Sequence, residues 1–122
     1  QMIKGWIDNA GNTQEKVVDI ACGDNLIIDP ATGRCPDNGA SVDLETCRFS
    51  QNVGANELKT VWHDPDYNPN QAAFYYARVL MNPTCRWSSY DAIRLGREPD
   101  PRAPATIRER AWSSPIWLDP EN

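Results

Sequence analysis

Arg110-Ala111-Trp112-Ser113-Ser114-Pro115-Ile116-Trp117-Leu118, close to the C-terminal end, and Ala73-Phe74-Tyr75-Tyr76-Ala77-Arg78-Val79-Leu80 decide the fold. Both runs concentrate aromatic and β-branched side chains, which suit a pleated, half-buried surface. They read as neighbouring strands, with 73–80 the strongest strand of the chain. Working outward, residues 1–8 and 15–22 read as a β-hairpin. Met2, Lys4 and Trp6 alternate with Ile3, Gly5 and Ile7, and Val17, Val18 and Ile20 continue the apolar signal. Asn9-Ala10-Gly11-Asn12 between them supplies residues that tolerate positive φ.

Residues 23–40 are dense in Gly, Asp, Asn and Pro. A loop of that length is uncommon unless it is functional or pinned, and Cys35 is expected to pin it. Residues 41–44 and 54–62 read as further short strands, the second centred on Leu58-Lys59-Thr60-Val61-Trp62. Asp64-Pro65-Asp66-Tyr67-Asn68-Pro69 is a turn by its chemistry. Between Met81 and Arg108, Ser88 to Gly96 spells one or two helical turns. Ser88 or Ser89 is the expected N-cap, Asp91 lies in the first turn, and Gly96 is the stop. Pro99, Pro101 and Pro104 force an irregular path beyond it. There is no internal repeat and no low-complexity tract. The expected fold is mainly β: a small immunoglobulin- or fibronectin-like β-sandwich spanning 1–122 as one domain, with long disulfide-pinned loops and one short helix.

A chain of 122 residues suffices for one modest core. Its 10 prolines argue against long helices. The net charge of −5 and pI near 4.7 oppose nucleic acid as a partner, because phosphate contacts need a basic face. They also give no attraction to anionic lipid. No apolar run approaches the roughly 20 residues that span a bilayer, so membrane insertion is not expected. The chain opens on a strand-like run, Met2 to Ile7. That reads as a fragment boundary and leaves room for a targeting segment upstream.

Cys22, Cys35, Cys47 and Cys85 form an even set in loop-rich sequence, which points to disulfides and an oxidising compartment, periplasmic or extracellular. Structural zinc sites usually carry two ligands two to four residues apart, and no pair here is closer than 12 positions. Three pairings are open. Topology leans toward Cys22–Cys85 with Cys35–Cys47, on the premise that strands 15–22 and 74–80 end at the same sheet edge. Cys22–Cys35 with Cys47–Cys85 follows closely.

Candidate chemistry is sparse. Asp64, Asp66, Asn68 and Asn70 follow the single histidine, His63, at alternating positions that resemble the start of a calcium loop. Against that, Gly is missing at the sharp turn, Pro65 and Pro69 stiffen the segment, and Tyr75 stands where a bidentate Glu belongs. A tight turn with Asx hydrogen bonds is the favoured reading. No Cys or second His lies near enough to make His63 a zinc ligand. Ser113 and Ser114 have no Gly-x-Ser-x-Gly elbow around them. Asp43 and Glu45 alternate with apolar residues, as on the solvated face of a strand. No catalytic, cofactor or metal residue is assigned within the chain. Most of the aromatics read as core, and alternation suggests that some of Trp6, Trp62, Phe74, Tyr76, Trp112 and Ile116 point inward. Trp87, in a loop beside Arg86, reads either as an interface anchor or as a plug for one end of the sandwich. Arg94, Arg97, Arg102, Arg108 and Arg110 crowd the last third, where surface ion pairs account for them.

Three runs resemble the C-terminal part of the bacterial domain-of-unknown-function family 3604. They are Ile3-Lys4-Gly5-Trp6 with Gly11-Asn12-Thr13 and Glu15-Lys16-Val17; Trp62-His63-Asp64-Pro65-Asp66 running into Ala73 to Leu80; and Arg86-Trp87-Ser88 with Tyr90-Asp91-Ala92, closing on Arg108 to Trp117. The resemblance covers nearly the whole chain. It implies a longer parent protein whose upstream part resembles a polymerase-and-histidinol-phosphatase-type metallohydrolase barrel, where His and Asp residues bind divalent metal. On that reading this chain is an accessory domain of an envelope hydrolase, its partner is the upstream catalytic domain, and no catalytic residue carries over onto 1–122. The alternative is a free-standing carbohydrate- or protein-binding module. An independent enzyme has least support, since no nucleophile, base or metal set converges.

Overall fold

The computed structural model describes residues 1–120. Its centre is β3 (Ala73–Leu80), antiparallel to β1 (Met2–Ile7) on one side and to β6 (Arg110–Trp112) and β7 (Ile116–Leu118) on the other. β2 (Thr13–Val18) completes a five-stranded sheet in the order β2-β1-β3-β6, with β7 beside the first part of β3. The β1–β2 turn closes as its residues dictate. The Asp8 carboxylate accepts the N–H groups of Ala10 and Asn12 at 3.0 and 2.9 Å, and Gly11 takes a φ of 84°. A ribbon of β4 (Thr84–Cys85) and β5 (Thr106–Ile107) flanks the helix α1 (Trp87–Arg94). The fold is mainly β, with antiparallel sheets, one short helix and two disulfides. An immunoglobulin-like sandwich is consistent with this pairing.

The closing run is not one continuous strand. Trp112 pairs with Arg78 and Ile116 with Tyr75, so three residues, 113–115, oppose two on β3. This is a one-residue bulge. Ser113 makes it: its N–H donates to the Ala77 carbonyl (3.0 Å), and its hydroxyl accepts the Ala77 N–H (2.9 Å) that a regular ladder would have given to a carbonyl. Pro115 has no N–H to lose. The slip changes faces. In an unbroken strand Trp112 and Ile116 share a side; here Trp112 aligns with Phe74, Tyr76, Arg78 and Trp117, while Ile116 lies opposite with Tyr75. Of the candidates to point inward, Trp112 and Ile116 therefore do not do so together. Trp112 is 59% exposed and Ile116 is 66% exposed, whereas Trp6, Trp62, Phe74 and Tyr76 are half-buried.

Two expected strands are loops. At 41–44 only an isolated bridge forms, Val42 with Phe49. The Asp43 carboxylate instead accepts the Glu45 N–H (2.9 Å) and the Thr46 hydroxyl (2.6 Å). The same device occurs at Asp29, which accepts from the Ala31 N–H (2.9 Å) and the Thr32 hydroxyl (3.0 Å). Residues 29–34 and 43–48 are thus one turn used twice, Asp-x-x-Thr-x-Arg, a repeat too short to register as one in the sequence. The fifth position is left-handed in both: Gly33 at φ 65° and Cys47 at φ 56°. Residues 54–62 also stay out of the ladder; Trp62 lies against Tyr75, ring centroids 6.3 Å apart.

Helix α1 stops as read and starts differently. Gly96, at φ 60°, donates to Ile93 O, and Arg97 N–H donates to Ala92 O, the paired bonds of a Schellman end. At the start, Arg86 is the extended N-cap without a side-chain cap. Ser89 lies inside the helix, and its hydroxyl donates to Ala105 O at 2.8 Å.

The disulfides are Cys22–Cys35 and Cys47–Cys85, each with Cα atoms 5.6 Å apart. The strand order behind the lean toward Cys22–Cys85 holds, with β1 between β2 and β3, but the pairing drawn from it fails. Their ends share one edge, but two strand spacings separate them by about 10 Å, beyond the roughly 7 Å reach of a disulfide. Cys35 does pin the long loop, helped by the Asp19 carboxylate accepting the Cys35 N–H at 2.8 Å.

The two bridges close loops of 13 and 38 residues. On chain-entropy scaling, replacing Cys22 and Cys35 by Ser is expected to lower unfolding free energy by about 3 kcal/mol, and replacing Cys47 and Cys85 by about 4 kcal/mol. Urea unfolding of the two double variants checks the ranking. The reverse order would mean that the 47–85 segment stays ordered in the unfolded chain.

Candidate functional site

One face of the sheet is closed by charge. Lys4 and Lys16 sit directly opposite each other on β1 and β2, and two like charges in that position repel. The 62–67 loop resolves this with two carboxylates. Asp64 meets Lys4 Nζ at 2.5 Å and Asp66 meets Lys16 Nζ at 2.5 Å. Lys4, only 4% exposed, also donates to the Asp66 carbonyl at 2.8 Å. The Tyr75 hydroxyl donates to Asp64 at 2.7 Å. The rings of Trp6 and Tyr75 lie 5.2 and 5.7 Å from the ammonium. Burial alone would raise the Asp64 pKa, but the bonds from Lys4, Tyr75 and the Asp66 N–H outweigh it and hold the carboxyl below its usual range. Burial and the Asp64 charge push the Tyr75 phenol well above its usual range. Every buried side-chain polar atom among the described residues has a partner. The buried part of this cluster is a satisfied clamp.

The opposite face buries Ile3 and is open around Gly5 and Phe74. Its register sets Glu15, Gly5, Phe74 and Trp117 in one row across β2, β1, β3 and β7. Phe74 and Tyr76 stack nearly parallel, 6.3 Å apart, and Trp117 leans on Phe74 at 5.0 Å. A groove of about 490 Å³ runs over this row. Trp117 at its edge is 69% exposed.

Helix α1 carries the second unusual surface. Ser89 and Ala92 are buried, while Tyr90 and Ile93 are exposed, Trp87 is 74% exposed, and Leu95 just past the helix is exposed too. Positions 87, 90 and 93 form one stripe at helical spacing. Small residues face in and large apolar ones face out, the reverse of an ordinary surface helix. Arg86 and Trp87 therefore stand at the first turn of an outward apolar stripe and do not plug the interior.

A family model described as protein of unknown function (DUF3604) matches residues 1–120. The chain belongs to this family. No curated protein and no solved structure matches it. Within the DUF3604 chain the sequence candidates disperse. His63 is exposed, and its following aspartates are engaged by lysines. The favoured Asx reading of that segment holds: Asp64 and Asn68 accept the N–H groups of Asp66 and Asn70, each at 3.0 Å. Among the described residues no three His, Cys, Asp or Glu side chains gather to hold a metal ion. Ser113 and Ser114 belong to the bulge. No described helix is long and apolar enough to cross a membrane.

The residues missed in the DUF3604 sequence are Glu15 and Gly5 of the open row, and the repeated turn. Pro115 inside an aromatic strand was the available signal for the bulge that aligns Trp112 with Trp117.

Asp64→Asn leaves the Lys4 charge buried without a counter-charge. It is expected to cost about 3 kcal/mol at neutral pH. The depressed Asp64 carboxyl contributes stability that is complete above the unfolded value, about 3.9, and is lost as pH falls through the lower folded value. The native chain should therefore lose stability steeply below about pH 4, and Asp64→Asn should flatten that limb. Denaturant unfolding from neutral to acid pH checks both. Equal acid limbs would show that Asp64 does not carry the linkage.

Proposed function

We infer that this chain is the accessory β-domain of a metal-dependent hydrolase of the bacterial envelope. The catalytic part lies in an upstream domain of the same protein, and the divalent metal belongs to that domain. The family resemblance supplies the upstream barrel. The two disulfides fit a periplasmic or extracellular setting.

The observation that carries the docking role is the inverted helix. A stripe of Trp87, Tyr90 and Ile93 facing water costs free energy until another surface covers it. Trp beside Arg is the composition of an interface anchor, and Arg86–Trp87 opens the stripe. The helix is held rigidly enough to present it. Arg86 N–H donates to Ala105 O at 2.9 Å, Ser89 bonds the same carbonyl, and the Cys47–Cys85 bridge enters one residue earlier. On this reading the domain acts by packing on the catalytic barrel through α1.

The test compares hydrogen exchange in the 122-residue chain and in the product of its full reading frame. Amides of residues 89–96 are expected to exchange at least about tenfold more slowly in the longer protein. With the upstream domain supplied separately, Trp87→Ala should weaken association by about 30-fold. Unchanged exchange in α1 would remove the docking role.

A further inference from the structure

The groove on the open sheet face has two unlike banks. One bank is aromatic. Gly5 has no side chain, and the Phe74 ring occupies the space above it, so that a Cβ built at Gly5 would overlap the ring. Trp117 leans on that ring with a 49° tilt and leaves most of its own surface uncovered. The other bank is polar. Thr13 and Glu15 are exposed and line the groove, and neither side chain makes a hydrogen bond or ion pair among the described residues. Asp119 lies at the mouth. The volume, about 490 Å³, falls in the range of pre-formed small-molecule sites, which combine apolar walls with a few placed polar groups.

We propose that this groove binds a neutral saccharide. A pyranose ring has an apolar C–H face and an edge of hydroxyls. The C–H face matches the electron-rich faces of Trp117 and Phe74. The hydroxyl edge needs acceptors, and the Glu15 carboxylate and Thr13 hydroxyl supply them across the groove. Charge selects within the class. Glu15 and Asp119 beside the site, in a chain of net charge −5, repel uronates, phosphosugars and nucleotides. The bulge contributes directly. Without the extra residue between Trp112 and Ile116, the 116–118 strand would turn Trp117 to the clamped face and leave Phe74 with Tyr76 as its ring neighbour and no tryptophan beside the groove. This site is separate from the helix stripe and goes beyond the docking role inferred above.

The test is a tryptophan-fluorescence titration of the 122-residue chain with cellobiose, maltose, N,N′-diacetylchitobiose and glucuronic acid. Saturable binding of at least one neutral disaccharide is expected, with Kd in about the millimolar range, and none of glucuronic acid. Trp117→Ala and Glu15→Gln should each weaken it by about tenfold. Trp117→Phe keeps a ring face and should restore most of the binding. Ile27→Ser, outside the groove, should leave it unchanged. No saturable response to any neutral disaccharide overturns the proposal. So does preference for glucuronic acid, or a concentration-dependent dimer that Trp117→Ala abolishes, which would make a second copy the occupant.

Discussion

Two lysines facing each other across β1 and β2 constrain the rest of the molecule. Lys4 and Lys16 share one face of the sheet, and Lys4 is buried there. A buried ammonium is tolerated only with a counter-charge and a full set of hydrogen bonds. The 62–67 loop provides both, and in doing so it covers that face with Trp62, Asp64 and Asp66. The irregular path of residues 54–62 follows: this stretch has strand-like composition, but Trp62 is needed against Tyr75 and the loop must deliver two aspartates next to two lysines. With Lys4 and Tyr75 covered on this face by a polar clamp, the exposed tryptophans lie elsewhere, on the other side of the sheet and on α1.

Local patterning was sufficient wherever one residue's backbone preference decides the outcome. Gly11 in the first turn and Gly96 at the end of α1 both adopt the positive φ their positions need. Alternation sufficed for β1 and β3, which are central and paired on both sides. It failed where a side chain competes with the ladder for hydrogen bonds. Asp43 turned an expected strand into a turn, and Ser113 broke an expected strand in two. Both are pairwise events between a short polar side chain and a neighbouring N–H, and composition does not reveal which partner wins. The disulfide pairing needed a different kind of information. Cys22 and Cys85 follow strands that end at one edge with β1 between them, and the order of strands alone does not say that a shared edge leaves the two beyond bonding reach. The apolar stripe of α1 is visible in the sequence as a single residue, Trp87, but its orientation depends on Ser89 being buried with its hydroxyl on the Ala105 carbonyl.

The distribution of size across the surface is the strongest physical hint about function. The buried apolar side chains are Ile3, Ala73, Tyr75, Ala92 and the bridged Cys47 and Cys85, while Trp87, Trp112 and Trp117 are exposed. A core made of small residues stabilises weakly per residue, so the two bridges and the Lys4–Asp64 clamp carry an unusual share of the work of holding the chain together. The large aromatics are then available for contacts outside the domain. They fall into two groups with different chemistry. The α1 stripe is apolar with an arginine at its start, as a protein interface requires. The sheet row faces a free carboxylate and a hydroxyl, as a polyhydroxylated ligand requires. An accessory domain that both packs on a catalytic neighbour and holds a sugar would need two such surfaces on separate elements.

The bulge at Ser113–Pro115 shapes both the aromatic row and the outer edge of the sheet. The 110–118 run forms an outer edge of the sheet, and an aromatic edge strand is a template for unwanted pairing with other chains. Breaking it into β6 and β7 interrupts the row of unpaired backbone groups after three residues, and Pro115 removes a donor from the gap. The same extra residue brings Trp112 and Trp117 onto one face, although they stand an odd number of positions apart in sequence and would otherwise lie on opposite faces. A regular strand offers either an unbroken edge with its tryptophans split between faces, or a sequence with fewer aromatics. The irregular one combines a blunted edge with a one-sided aromatic row. That combination accounts for a serine pair and a proline in the middle of an otherwise strand-forming run.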